Sequence, residues 1–477
     1  MKAPFSEYLN ELVPSLRKIL VALEEDYEYV SILSTDSVGL SVRSSRHSKS
    51  VGNETMTTER GTVIRVGRDG LYSEYAITDL HPDKLNETIG NIRDELNAQI
   101  DFLKITGTDI YDTPLLSDEP LELYVEEETE QLPEKTDIRS LVDILLSITE
   151  KGCALGEDVL DCSVSAQSTH ISKVFLSHNR YLRQSYVYSE GSVAVIAARN
   201  DQNRIGYESV SGLCGPELFI ELEQKLLPTY QMVQDLLRAE RIVPGEYEII
   251  TSPEVTGLIA HEAFGHGVEM DMFVKDRALG KQYIGKRVGS DKVTMHEGAL
   301  CAKNVTSYAF DDEGVLAGDV TEIENGVLKA GICDALSAVR LGVTPTGNGK
   351  RENYAHKAYT RMTNTVIDSG TDSLDEMIAS VKYGFLLEGM ESGMEDPKHW
   401  GIQCILQLGR EIKDGKLTGK VFAPIILTGY VPDLLGNISM LSSDRLIFGA
   451  GGCGKGYKEW VKVADGGPYL KTVGRLG

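Results

Sequence analysis

The chain has 477 residues, 41% hydrophobic and 25% charged, which at roughly 100–200 residues per domain predicts two to four domains and excludes a largely disordered protein. Lys and Arg number 48 against 72 Asp and Glu, a formal charge of −24. Such a surface repels phosphate backbones and anionic lipid headgroups, and the most basic stretch (Arg43, Arg46, Lys49) is short and diluted by serines, so no nucleic-acid partner is expected.

The chain opens with a helical pattern in which Leu9, Leu12, Val13, Leu16, Ile19 and Leu20 recur at three- and four-residue steps, with Pro14 a candidate kink. Strand-like runs follow at Tyr27 to Leu33, Gly39 to Arg43, and Gly61 to Tyr75 with Gly67, Asp69 and Gly70 as punctuation. The clearest helix of the chain carries Leu85, Ile89, Ile92, Leu96 and Ile100 on one face, with Pro82 at its start. These elements make one α+β unit, residues 1–110. Residues 111–135, with three prolines and the run Glu126-Glu127-Glu128, read as an acidic, solvated linker.

A second α+β unit, 136–243, repeats the layout. A helix from about Ile138 to Thr149 precedes strands at Val159–Ser165, Lys173–Leu176, Leu182–Tyr188 and Ser192–Ala198, and a long helical pattern from Pro216 to about Arg241 closes it. Gly61-Thr-Val-Ile-Arg-Val and Gly191-Ser-Val-Ala-Val-Ile occupy similar places in the two units, as in a weak internal repeat. Pro244-Gly245 marks the next boundary. Residues 244–477 read as a larger β-rich domain, with a strand at Tyr247 to Thr251, hairpin signals at Asn325-Gly326 and Asp414-Gly415, and one helix-like interval, Leu374 to Tyr383. The fold class expected is α+β.

No run approaches the roughly 20 apolar residues of a membrane span, and the mixed residues 1–20 do not read as a signal peptide. Seven scattered cysteines without a CxxC pair read as reduced thiols. The expectation is a cytoplasmic protein with no membrane partner.

Chemistry concentrates in Ser252-Pro-Glu-Val-Thr-Gly-Leu-Ile-Ala-His-Glu-Ala-Phe-Gly-His-Gly-Val-Glu-Met-Asp271. Ser252 is a good N-cap, Pro253 a good first helical residue, and Glu254 suits the positive helix end. Neutral imidazoles at His261 and His266 are suited to Zn²⁺, and Glu262 is placed to take a proton from water and pass it to a leaving amine. The histidines stand at i and i+5, which a straight helix splays by about 140°. Both can reach one ion only where the helix widens to a π-like turn or ends, and Gly265 is a place for that. By chance, roughly 0.03 such H-[DE]-x-x-x-H matches are expected in this composition, so a bland reading of the pair is disfavoured. A third ligand stays open on the residues alone: Glu269, Asp271, or the distant Cys453 in Gly449-Ala-Gly-Gly-Cys-Gly-Lys455, although a lone Cys in a Gly-rich loop ordinarily reads as an inert small residue.

Several separate stretches in order carry a resemblance over nearly the whole chain: His261-Glu-Ala-Phe-Gly-His-Gly-Val-Glu-Met-Asp271, Asp311-Asp-Glu-Gly314, Thr346-Gly-Asn348, Arg361-Met-Thr-Asn-Thr365 and Gly452-Cys-Gly-Lys455. With these the sequence resembles the TldD/PmbA family of modulator-of-gyrase-like metallopeptidases, and the intact HExxxH motif resembles its TldD type. The resemblance implies zinc held by His261, His266 and Cys453, with Glu262 as general base and Glu269 in a supporting role. It further implies a peptidase acting on unfolded or extended peptides in an enclosed homodimer or a heterodimer with a PmbA-like subunit. The alternative is a non-catalytic peptide-binding scaffold with a structural or absent metal, which four protein ligands, for example with Glu269 added, would favour. Arg361 to Thr365 reads equally as groove lining or structural turn. Two departures from the family pattern, at Met394–Gly401 with His399 and Trp400 and at 456–462, bear on substrate fit. His296-Glu297 reads as a surface pair, and Asp311–Gly314 as a turn lacking the other ligands of a calcium loop.

Overall fold

The computed structural model describes residues 1–53, 55, 57–105, 113–455 and 458–477, with the backbone alone at 458 and 459. The first helical repeat becomes α1 (Glu7–Leu23), which continues through Pro14 and is capped by the Ser6 hydroxyl accepting from the Leu9 N–H. Strands β1 (Tyr29–Ser44), β2 (Lys49–Gly52), β3 (Arg60–Arg68) and β4 (Leu71–Ile77) and helix α2 (Leu85–Ile105) complete the first unit. Asp69 and Gly70, both at positive φ, make the β3–β4 turn. The second unit holds β5 (Leu121–Glu126), α3 (Ile138–Cys153), β6 (Val159–Ser177), β7 (Arg180–Arg199), β8 (Gln202–Gly212) and α4 (Leu222–Leu237).

Both units build one sheet of order β4-β3-β1-β6-β7-β5, with β2 on β1 and β8 on β7. The seam is the antiparallel pair β1–β6, running from Ser31↔Ser177 to Ser44↔Val164. On either side, β3 with Gly61 and β7 with Gly191 take equivalent second places, so the repeated layout read in the sequence has a counterpart in the strand order. Helices α1 and α2 cover one part of the sheet around Ile32, Ile64 and Leu176. Helices α3 and α4 cover another around Val164, Val193 and Val195.

Several sequence expectations are corrected here. Within the segment read as a solvated linker, residues 121–126 form β5, parallel to β7, because Leu121 and Leu123 pack against the cluster of Phe175 and Leu182; Tyr111 and Asp112 lie outside the described residues. The separate runs in 159–177 and 180–199 are each one continuous strand, their intervening serines and polar residues buried between strands. Strand β8, missed in the sequence, follows a two-residue turn at Asn200-Asp201.

The remaining chain supplies β9 (Gly245–Thr251), α5 (Pro253–Ala260), α6 (Met270–Val274), β10 (Met295–Glu297), β11 (Val320–Glu324), β12 (Val327–Leu328) and α7 (Ala335–Leu341). It continues with β13 (Gly349–Lys350), β14 (Tyr359–Thr360), β15 (Asn364–Ile367), α8 (Leu374–Ala379), β16 (Tyr383–Asp396) and β17 (Gly401–Lys413). The last elements are β18 (Lys416–Phe422), β19 (Ile425–Tyr430), α9 (Val431–Gly436), β20 (Met440–Lys455) and β21 (Lys458–Leu476). The hairpin signals hold: Asn325-Gly326 joins β11 to β12, and Asp414-Gly415 joins β17 to β18, all four residues at positive φ. The helix-like interval after residue 374 shrinks to six residues, and α6, α7 and α9 are further short helices.

Eleven of these strands form the second sheet, ordered β12-β11-β10-β15-β21-β19-β17-β16-β9, with β18 on β17 and β20 on β21. Because β9 also pairs with β21, the strands β21, β19, β17, β16 and β9 close on themselves. Helix α5 enters their core with Val255, Leu258 and Ile259 packed among Ile249, Phe385, Leu406 and Leu470. The whole is an α+β fold with a β-rich carboxy-terminal region. Among the described residues, no helix is long and apolar enough to cross a membrane.

Candidate metal centre

Strand β9 delivers Ser252, whose hydroxyl accepts from the Val255 N–H, and Pro253 occupies the first turn of α5. At His261 the helix widens into a π turn, His261–Gly265, and then tightens into a 3₁₀ turn, His266–Val268. The i and i+5 histidines thereby come onto one side, ring centroids 5.2 Å apart and planes 88° to each other. Gly265 serves by its small size: its φ is an ordinary −58°, but a Cβ there would stand 2.0 Å from Met362 Sδ.

Cys453 arrives from β20, held opposite Val461 of β21. Its Sγ lies 3.2 Å from His266 Nε2, and one ligand atom from each of His261, His266 and Cys453 falls within 4.8 Å of the others. Glu269 Oε2 meets His266 Nδ1 at 3.0 Å. Lys455 Nζ sits 3.1 Å from the same oxygen and 2.6 Å from Asp271 Oδ1. Neither acid joins the three-residue cluster. Asp465 Oδ2 lies 4.0 Å from His261 Nδ1, a buried nitrogen that has no hydrogen-bond partner among the described residues. The Arg361 guanidinium, fully buried, donates to the Cys453 carbonyl at 2.7 Å.

The surroundings call for positive charge at this point. Burial pushes the Cys453 thiol up, but the two imidazoles outweigh it and hold its pKa well below the ordinary value. Burial lowers both imidazoles, yet the facing thiolate prevails: His261 is pushed up to about 9, and His266, also beside Glu269, well above its usual range. Asp465 is pushed up to about 7 by burial against the pull of His261. Two imidazoles and a thiolate are a donor set that zinc accepts, and a divalent cation can supply the charge that protons otherwise provide.

The cluster lines a cavity of about 580 Å³. Glu262 faces it, its Cγ so close to the β16 backbone that a Cβ on Gly393 would stand 2.4 Å away. Tyr207 and Ser209 of β8 form part of the opposite wall, so the first sheet contributes to the site.

The other flagged residues divide. Arg361 to Thr365 is structural: the Thr363 and Thr365 hydroxyls donate to Glu297, which is fully buried. The surface reading of Glu297 is thus corrected, while His296 is partly exposed and pairs with Asp319 at 2.8 Å. Asp311–Gly314 is a turn, Asp311 Oδ1 accepting from the Glu313 and Val315 N–H groups and Gly314 at φ 74°. Trp400 is buried against Phe264 and Tyr283 and lies away from the cavity lining; His399 is exposed beside Asp396. Of 456–462, Gly456 and Tyr457 lie outside the described residues, and Trp460 lines the cavity. Sequence reasoning missed Asp465, which carries no local motif, and the support given by Arg361 and Lys455, which stood inside recognised stretches without an assigned role.

Residues 244–471 match the family model described as the PmbA/TldA metallopeptidase C-terminal domain. This region is similar to the PmbA/TldD family. Across the whole length, the chain is 28% identical over 464 residues to "Metalloprotease" of Methanothermobacter thermautotrophicus, covering 96% of each. It is 30% identical over 255 residues to "Zinc metalloprotease TldD homolog" of Saccharolobus solfataricus, 53% of this chain and 56% of that one. The crystal structure of TldE from Thermococcus kodakarensis matches with a TM-score of 0.75 at 17% identity, covering 97% of this chain and 100% of that one, which shows a shared fold. In this PmbA/TldD-type region lie both histidines, the cysteine and Glu262.

Proposed function

We propose that the chain is a TldD-type zinc metallopeptidase with an intact HExxxH motif, hydrolysing peptide bonds in unfolded or extended peptides. The observation that carries the reading is the meeting of His261, His266 and Cys453 at the wall of a cavity of about 580 Å³ that Glu262 also faces. The names of the relatives support the metalloprotease chemistry. These three side chains would hold the ion, with Glu269 orienting His266 through Nδ1 and Asp465 standing beside His261 Nδ1. When bound, zinc supplies a Lewis acid that polarises a carbonyl and brings the pKa of water toward 7. Glu262 accepts the proton of the attacking water and returns it to the leaving amine. Lys455 and Arg361 keep Glu269 ionised, its carboxyl held down at about 2 against burial.

The scaffold reading requires a closed, four-ligand site. Engagement of Glu269 by His266 and Lys455 supports an open position instead. The assembly proposed is a cytoplasmic homodimer, or a heterodimer with a PmbA-like subunit. Hydrolysis of an unfolded peptide mixture, followed by mass spectrometry, tests the function: cleavage abolished by Glu262→Gln and by chelation supports it. Equal cleavage by wild type and Glu262→Gln, or none from wild type alone and with a PmbA-like subunit added, would overturn it.

A further inference from the structure

The cavity beside the metal centre is one-sided in charge. Glu254, Glu262, Glu269, Glu391, Glu395 and Asp465 line it, against Lys455 and the two histidines. Lys455 is committed to Glu269 and Asp271, Glu269 to His266, and Asp465 stands beside His261. With Glu262 assigned to the hydrolysis itself, that leaves Glu254, Glu391 and Glu395, none of which forms an ion pair among the described residues. Lys225, which acts on Glu254, is itself paired with Glu208.

Glu395 is the informative member. It stands near the end of β16, over the backbone of Gly267, where a Cβ would lie 2.7 Å from its Oε1. Both its oxygens are shut off from solvent, and among the described residues the Gly267 N–H is the nearby donor, with no side-chain partner for either oxygen. A buried carboxylate short of donors is costly, and such groups are ordinarily satisfied by a partner. Burial pushes its pKa well above the carboxylate range; His266 lowers it, and neighbouring Glu262 and Glu269 raise it further. Glu254 accepts one backbone N–H, from Met390 at 3.3 Å, and faces Glu208 and Asp465 as well as Lys225. Exposed Glu391 extends the acid to the rim.

We propose that Glu395, with Glu254 and Glu391, forms a substrate subsite for an ammonium group, so that the enzyme selects peptides carrying one near the scissile bond. The ammonium comes either from a free peptide amino terminus or from a lysine side chain; both offer three donors to oxygens short of them. Charge-assisted bonds from an arriving ammonium to these carboxylates favour cationic over neutral peptides by about tenfold or more. The inference rests on the peptidase reading for its cleavage readout and on binding alone for its affinity readout.

The experiment uses the full-length zinc-loaded protein and one peptide sequence in four forms: free or acetylated amino terminus, and lysine or norleucine at an internal position. Values of kcat/KM are measured for wild type, and dissociation constants by fluorescence anisotropy on Glu262→Gln. The subsite predicts a preference of about tenfold or more for one ammonium source, the acetylated or norleucine form identifying which. In Glu395→Gln the ratio of cationic to neutral peptide falls toward one; Glu391→Gln, at an exposed position, lowers the ratio if Glu395→Gln does not fold. Equal handling of all four peptides, or a preference that persists in both variants, overturns the subsite while leaving the peptidase intact. Selective binding of the cationic peptides with no cleavage by wild type, alone or with a PmbA-like subunit added, overturns the peptidase reading while leaving the subsite.

Discussion

His266 and His261 each have a buried carboxylate beside Nδ1, Glu269 and Asp465, and these acids are where a single substitution is most informative. Glu269→Gln and Asp465→Asn each remove a carboxylate facing an imidazole nitrogen. Each is expected to weaken zinc affinity by about 10–100-fold while circular dichroism stays native, as such supporting partners do. Zinc competition titration checks this; unchanged affinity would mean that the carboxylates do not orient the rings. Trp400 is a packing residue in the Phe264–Tyr283 cluster, and Trp400→Ala should cost about 3–5 kcal/mol in urea unfolding. Glu59 gives a pH signature. Burial pushes its carboxyl up to about 7, although it accepts the Tyr354 N–H at 3.1 Å. A raised carboxyl stabilises the fold below its unfolded pKa of roughly 4.3, and that contribution is lost as pH rises through about 7. Glu59→Gln should therefore raise Tm at pH 8, with the difference closing by pH 5; a gain independent of pH would refute the assignment.

The π turn is the element on which the site depends. The i, i+5 spacing is incompatible with a regular helix closing on one ion, so the distortion was legible from two histidines and the geometry of 3.6 residues per turn. Its placement against β21 was not. Gly257 of α5 approaches that strand so closely that a Cβ would stand 2.4 Å from Asp465 Oδ1 and 2.6 Å from the Gly466 nitrogen. Gly257→Ala is expected to push α5 off β21, costing about 1–3 kcal/mol and weakening zinc binding together, because Asp465 moves with the strand. Hairpins were readable wherever a two-residue turn names itself, as at Asn325-Gly326 and Asp414-Gly415. Strands of the first sheet were harder to read, since β6 and β7 carry buried Ser168, Ser172, Ser185 and Ser189 that break the apolar alternation yet hydrogen-bond across the sheet. β5 was hidden for a related reason: an acidic, proline-flanked stretch looks solvated until its pairing with β7 is known.

At the scale of the molecule, the two sheets are tied by buried charge. Arg65 of β3 pairs with Glu74 of β4 at 2.7 Å and with Glu313 of the Asp311–Gly314 turn, Arg351 reaches Glu74, and Lys173 reaches Asp312. The motif that resembles a calcium-loop fragment is the carboxy-terminal region's dock on the first sheet. Burial raises the Glu74 carboxyl, but the two guanidiniums hold it well below its ordinary range. Glu74→Gln should lower stability by about 3 kcal/mol near pH 7, with the deficit shrinking as pH falls below about 4. Since Tyr207 and Ser209 reach the cavity across this junction, loosened docking should also reduce peptide cleavage. Apolar periodicity marked the cores of both sheets, whereas Asp465 and the paired acids of the dock were invisible in sequence because their partners lie hundreds of residues away.

The central claim is that His261, His266 and Cys453 hold one zinc. Metal content of full-length protein purified without chelator, measured beside Cys453→Ala, tests it most directly. The account predicts about one zinc per wild-type chain and a marked loss in the variant, with native circular dichroism in both. Metal-free wild type after growth and dialysis in zinc, or equal zinc in both proteins, would contradict it.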